Sequence, residues 1–275
     1  MQPSSRALSN EEQRHVRNEI QPHGFDEGEI QRFIDADTTQ QHAIDLTGGG
    51  ILVLFTQESS TIAAIAKEVN DLLVWLGTPR GFTVFLWWRD DPRILDANEW
   101  PSKRSVNGGW TVPGTNSINV YRMEEYDRVI IHEVIHAMEW DWKMPDKPLP
   151  CWGLGQGQTM PHLFEAWTEL YAEWLWCGWH NVPWNSQRKW QDYQATQILA
   201  RQKHTWQENT NVFAYYILKA ALAPHIEFLW VFANGITEEE RYTVLCRLTG
   251  PELTRLRNTS TTSEDMSLRM SCPEK

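Results

Sequence analysis

No stretch of this chain reaches the roughly 18 consecutive apolar residues that a membrane-spanning helix needs, so no membrane partner is expected. The first twenty residues, MQPSSRALSNEEQRHVRNEI, lack the apolar segment behind a basic start that marks a secretory signal. The expected setting is therefore cytoplasmic or otherwise intracellular. Basic residues are scarce: 25 Lys and Arg stand against 36 Asp and Glu, for a formal net charge of -11. Sequence-independent nucleic-acid binding draws on clustered Lys and Arg, so no nucleic-acid partner is expected either. Only four cysteines occur, Cys151, Cys177, Cys246 and Cys272, none in a C-x-x-C pair. They read as reduced thiols. The interior has no Pro/Gly/Ser-rich linker, which points to one domain, and 275 residues at 41% hydrophobic composition are ample for one core.

What is abundant is tryptophan, with 16 residues against seven tyrosines. Large rings of this kind pack cores and surfaces; the sharper alternative is an aromatic groove or docking surface.

Periodicity divides the chain into two styles. Residues 10–35 carry spaced apolar positions and predict one or two short helices broken at Pro22-His-Gly24. Gly48-Gly-Gly50 marks a turn, and Ile51–Phe55 a buried strand. A capped helix follows Ser59-Ser-Thr61 and runs to Leu76, ended by Gly77 and Pro79. The run 82–88 is rich in β-branched and aromatic residues and predicts a second strand, parallel to the first through the intervening helix. Residues 89–104 read as a loop. Two more strands are expected at 109–112 and 117–121, around a Pro113-Gly114 turn. From Met123 the pattern is helical, at 123–140, 162–178, 187–206 and 209–222, with shorter helices near 225–233 and 237–248. The fold class is α+β: an N-terminal mixed sheet with helices, then a mostly helical half. The expected divisions are an N-terminal helical segment over 1–45, a domain over 46–256 and a disordered Ser/Thr-rich tail over 257–275.

The chemistry-bearing segment is His132-Glu133-Val134-Ile135-His136. On a helix, positions i and i+4 share a face, so the two imidazoles project together and can grip one side of a tetrahedral zinc. Glu133 lies about 100° round the helix from His132. There its carboxylate can take a proton from the attacking water, the logic of H-E-x-x-H. The motif fixes only three positions and recurs by chance. Here it sits in an apolar helix containing Val129, Ile130, Ile131, Val134, Ile135 and Met138, where buried His and Glu are costly without a partner. A metal supplies one.

Zinc needs a third protein ligand. Downstream, Glu165, Glu169 and Glu173 recur at steps of four on a helix crowded with Phe164, Trp167, Leu170, Trp174 and Leu175. A solvated acidic stripe is the plain alternative. The apolar crowding favours a buried site wall, with Glu165 as metal ligand, Glu169 hydrogen-bonding a ligating histidine, and Glu173 at the rim or outside.

With these residues the chain resembles the zincin metallopeptidases, and among them the glutamate-ligated gluzincins. His132-Glu133-x-x-His136 matches their first motif, and Glu165-Ala-Trp-Thr-Glu169 is similar to their second, though several members carry Asp at its second acidic position. The resemblance implies a zincin-like fold, a Zn2+ cofactor held by His132, His136 and Glu165, catalysis through Glu133, and a peptide or protein substrate. The strand 118–121 looks like the zincin edge strand, along which substrate adds as a further strand. No third histidine of metzincin type follows, since 137–142 read Ala-Met-Glu-Trp-Asp-Trp. Segments from Asn107-Gly-Gly-Trp-Thr111 through His136 to Asn209–Tyr216 are similar to uncharacterised H-E-x-x-H proteins of large nucleocytoplasmic DNA viruses, which implies a virus-encoded protein.

Gluzincins commonly stabilise the oxyanion with a Tyr or His from the later helices. Tyr215, Tyr216 and His204 are candidates, with Tyr215 and Tyr216 equally placed for the role. Asp141 reads as a turn residue, with histidine orientation as the alternative, and His162 as a minor competitor for the metal. Gly153-Leu-Gly-Gln-Gly157 lacks the Lys and Ser/Thr of a phosphate loop. Glu238-Glu-Glu240 reads as a helix N-terminus. The expected function is a zinc-dependent peptidase. The alternative is a catalytically silent zincin-fold structural or interaction protein. Oligomeric state is not specified.

Overall fold

A computed structural model describes residues 5–19, 28–36, 38–97, 99–141, 150–152, 162–201, 210–227, 237–259 and 265–273. Its architecture is α+β, as the periodicity predicts. The chain forms two compact units, Met1–Pro92 with Asn107–Trp140, and Arg93–Val106 with Asp141–Lys275. The domain expected over 46–256 takes in parts of both units. The chain crosses between units at 92–93, 106–107 and 140–141, and no change of composition marks those crossings.

The first unit is built on a six-stranded mixed sheet in the order β1-β2-β3-β4-β7-β6. Its strands are β1 (Ser5–Arg6), β2 (Gln40–Asp45), β3 (Ile51–Thr56), β4 (Thr83–Trp87), β6 (Gly109–Thr111) and β7 (Ser117–Val120). The expected parallel pair is present: β3 and β4 align Leu54 with Leu86, joined by helix α3 (Ile62–Leu76). Gly77 closes that helix in the left-handed conformation, φ 70, which a Cβ would oppose. The expected N-terminal cap differs. Thr61 makes no capping bond, because its hydroxyl turns back to the Glu58 carbonyl.

Strand alternation sorts the sheet's side chains. On one face Phe55, Phe85, Trp87 and Tyr121 form a core with Leu8, Val16 and Ile30. Phe55 stacks on Trp87 at 5.4 Å and Trp87 on Trp110 at 5.5 Å. The opposite face carries Leu52, Leu54, Val84, Leu86, Ile118 and Val120, all fully buried. Helix α5 (Tyr126–Ala137) packs against β6 and β7.

Two expectations are corrected in this unit. Residues 1–45 are not a separate helical segment: besides α1 (Asn10–Glu19) and α2 (Glu29–Ile34) they supply β1 and β2, with β2 pairing along all of β3. Nor is 117–121 an edge. β7 is paired on both sides, parallel to β4 and antiparallel to β6. Its backbone groups are taken up in the sheet, and β6 is the outer strand.

The second unit is helical. Its elements are α4 (Lys103–Val106), α6 (Leu163–His180), α7 (Trp184–Arg201), a π-helix at Phe213–Leu218, α8 (Lys219–Leu222) and α9 (Glu238–Thr259). Trp152, Leu163, Trp167, Leu170, Ile198 and Leu245 belong to one core. α9 begins with a capping box: Glu240 Oε2 accepts from the Thr237 N–H at 2.8 Å, and the Glu240 N–H donates to Thr237 Oγ1 at 3.3 Å. The Thr237 N–H and hydroxyl, both donating to Oε2, hold the Glu240 carboxyl below its usual range.

Three expectations change here. The stretch 89–104 contains β5 (Ile94–Leu95) and the start of α4. The partner of β5 is β8 (Met266–Ser267), inside the tail expected to be disordered. Among the described residues of that tail, 257–259 end α9, and Met266, Leu268, Met270 and Cys272 are buried. Their backbone is bound by side chains of α7: Gln187 Nε2 donates to the Met270 carbonyl at 2.6 Å, and Gln194 Nε2 to that of Arg269 at 2.6 Å. Finally, Cys151 and Cys246 form a disulfide with Cα atoms 5.6 Å apart, although 95 residues separate them in sequence. The reduced-thiol expectation holds only for Cys177 and Cys272, so it no longer argues for an intracellular compartment. Among the described residues, no helix is long and apolar enough to cross a membrane. Trp87, Trp152, Trp167 and Trp176 are fully buried, whereas Trp75 and Trp174 are exposed.

Candidate metal centre

The route into α5 is fixed by a buried arginine. Arg122, just past β7, donates to the carbonyls of Asn107 at 2.8 Å and Asp91 at 2.7 Å, and pairs with the Asp91 carboxylate at 3.1 Å. The chain then turns at Glu125, whose φ of 59 is rare for a residue with a side chain. Asp127 sits in the first helical turn, where its charge favours the dipole. Tyr126 bonds Glu68 of α3, and burial together with that carboxylate pushes its phenol well above the ordinary range.

Every residue of α5 from Asp127 to Ala137 is buried. The imidazoles of His132 and His136 meet edge to face, ring centres 4.8 Å apart. Their Nε2 atoms stand 3.1 Å apart. Two nitrogens each bound to a tetrahedral zinc at about 2.0–2.1 Å would stand about 3.3 Å apart. The pair therefore has the spacing of two ligands. With no ion, the same contact is an N–H···N bond between two buried rings.

Glu133 is buried as well, and a glycine makes room for it. A Cβ on Gly109 of β6 would lie 2.9 Å from Glu133 Oε1, 2.8 Å from Val129 Cγ1 and 2.6 Å from the Asn119 carbonyl. No side chain fits between the strand and the helix at this point. The missing Cβ lets α5 approach the sheet and leaves space for the carboxylate.

In the helical unit, Glu165 lies in the first turn of α6 and accepts at Oε2 from the Tyr215 hydroxyl at 3.1 Å. His132, His136 and Glu165 each offer a ligand atom within 4.8 Å of the others, and among the described residues they are the one such group of three or more. Two imidazole nitrogens and a carboxylate oxygen are a donor set that zinc accepts. His162 is not in the group. It precedes α6 and packs edge-on to Phe164, ring centres 5.6 Å apart. Asp141 is half-buried just beyond α5. His204 and 153–157 lie outside the described residues, as do 202–206 and 228–233 of the expected helices.

Further along the acidic row, Glu169 is buried, as expected of a buried wall. Glu173, expected at the rim, is fully buried and bonds Lys219 Nζ at 2.5 Å and the amide of Gln191. Burial raises the Glu173 carboxyl to about 7; Lys219 opposes that shift and the Glu169 charge adds to it. The Cys177 thiol is pushed up by burial, then by Glu173 and Cys272. Tyr216 is also corrected as an oxyanion candidate. It is fully buried and its hydroxyl donates to the Leu268 carbonyl at 3.0 Å, so that proton is committed to the fold.

Four residues of this arrangement escaped the sequence reading: Gly109, Arg122, Gln191 and Lys219. Gly109 carried a signal, since a glycine inside a strand often marks close backbone approach. The others are polar residues whose partners lie far away in sequence. No protein-family model, curated protein or solved structure matches this chain.

Proposed function

We propose that the chain is a zinc-dependent peptidase of gluzincin type. The observation that carries this reading is the grouping of His132, His136 and Glu165, with Glu133 seated between the two histidines in sequence on a helix whose every other polar group is costly to bury. His132 and His136 would hold zinc through Nε2, and Glu165 would complete the protein ligands. Bound zinc would polarise the scissile carbonyl and make a water acidic enough to attack near neutral pH.

Glu133 takes the proton of that water on its carboxylate and returns it to the departing amine. The glycine at 109 keeps the carboxylate where it can do so. Glu169, one turn beyond Glu165, is assigned the support of a ligating histidine. The substrate is a peptide or protein segment in extended form. β6 is the outer strand of the sheet and offers the backbone edge, in place of the 117–121 strand first expected.

The test is hydrolysis of an unbiased peptide library by zinc-loaded wild type and Glu133→Gln. Cleavage by the wild type, reduced about 100-fold or more in the variant with zinc retained, supports the reading. Zinc retained with no cleavage in either protein would favour the silent structural alternative.

A further inference from the structure

The π-helix at Phe213–Leu218 is a rare geometry that recurs at functional sites. Two successive tyrosines on it have different partners. Tyr216 is spent on the Leu268 carbonyl. Tyr215 donates to Glu165 Oε2 at 3.1 Å. Just past the π-helix, Lys219 pairs with Glu173 at 2.5 Å, about two turns further along α6. The π-helix and the residue that follows it are thus tied to α6 at two points, one of them the carboxylate assigned to the metal.

We infer that Tyr215 is a positioning residue for Glu165 rather than the oxyanion stabiliser, an inference that rests on the metal reading above. A carboxylate ligand has two oxygens and free rotation about its last bond. A phenol proton fixed on Oε2 leaves Oε1 to face the metal and prevents the group from swinging away. The same hydrogen bond engages the Tyr215 proton, so it is not aimed at a developing oxyanion. Groups that orient metal ligands in this way are worth about 10–100-fold in metal affinity or activity. An oxyanion donor instead costs about 100–1,000-fold in kcat when removed.

The two roles separate in one experiment. Tyr215→Phe removes only the hydroxyl, and zinc affinity is measured by competition with a chromogenic chelator, alongside kcat and the visible spectrum of the cobalt-substituted protein. The inference expects zinc affinity to fall about 10–100-fold and the cobalt spectrum to shift as its carboxylate ligand loosens. Tyr215→Gln, which restores a donor, should recover part of the affinity. Zinc affinity within about two-fold of wild type, with an unchanged cobalt spectrum and a lower kcat, overturns the inference and returns Tyr215 to the oxyanion role. A wild type that binds no zinc overturns the metal reading and this inference together, whereas zinc bound equally by wild type and Tyr215→Phe overturns this inference alone.

Discussion

Gly109 and Glu133 approach so closely that a methyl group on the glycine would sit 2.9 Å from a carboxylate oxygen. The relation joins an outer strand to the helix bearing both histidines. It gives Asn107-Gly-Gly-Trp110 a mechanical reason: the strand carries no side chain where the carboxylate lies.

Gly109→Ala is therefore an overpacking variant. The nearest of the three close atoms is the Asn119 carbonyl of β7 and the other two belong to side chains of α5, so relief requires β6 to shift against both the neighbouring strand and the helix. The expected loss is about 1–3 kcal/mol of stability, measured by urea denaturation. If the proposed chemistry holds, peptide cleavage falls while His132 and His136 still bind zinc. A variant as stable as wild type would show that the helix does not press on the strand here.

The Cys151–Cys246 disulfide closes a span of 95 residues. Thiol titration of unreduced, denatured protein should find two thiols, Cys177 and Cys272, and four after reduction. Replacing both bridged cysteines with serine should cost about 2–5 kcal/mol. Four reactive thiols before reduction would contradict the bridge.

Glu173 predicts a pH signature. Its carboxyl is raised from the ordinary 4.5 to about 7, chiefly by burial. The folded protein therefore binds more protons than the unfolded chain between those values, and this group's contribution to stability declines as pH rises through that window. Glu173→Gln keeps the shape of the side chain but cannot titrate, so its stability lacks this group's pH dependence. The stability of wild type less that of the variant should therefore fall from pH 5 to pH 7. A difference that rises over that range would reverse the assignment.

Leu268 tests the order of the C-terminal stretch. It is fully buried, and its backbone N–H donates to the Arg93 carbonyl at 2.7 Å. Leu268→Ala should cost about 2–5 kcal/mol by cavity formation. A change below about 0.5 kcal/mol is the behaviour of an exposed tail and would contradict the packing.

What was legible in the sequence followed local rules. A continuous apolar run marked β3, β-branched and aromatic residues marked β4, and helical period with Gly77 marked α3, because each pattern lies within one element. His132 and His136 were legible because four residues on a helix fix their relation. The misses were relations between distant segments. β5 is two residues long and has no signal without β8, about 170 positions away. The tail's Ser/Thr composition concealed the alternation Met266, Leu268, Met270, Cys272, which is itself a strand signal. The pairing of 117–120 on both sides depended on where β6 folded back. Glu173 looked exposed because its partners, Gln191 and Lys219, come from α7 and α8. Tyr215 and Tyr216 were equivalent in sequence, and only the fold gave them different partners, Glu165 and the Leu268 carbonyl.

The central claim is that His132, His136 and Glu165 hold one zinc ion. Metal content by mass spectrometry, on purified wild type, His136→Ala and Glu165→Ala after zinc reconstitution and dialysis, tests it most directly. The account predicts close to one zinc per wild-type chain, and loss or marked weakening in both variants while the fold survives by circular dichroism. A reconstituted wild type without zinc, or a Glu165→Ala protein that holds zinc as tightly as wild type, would contradict it.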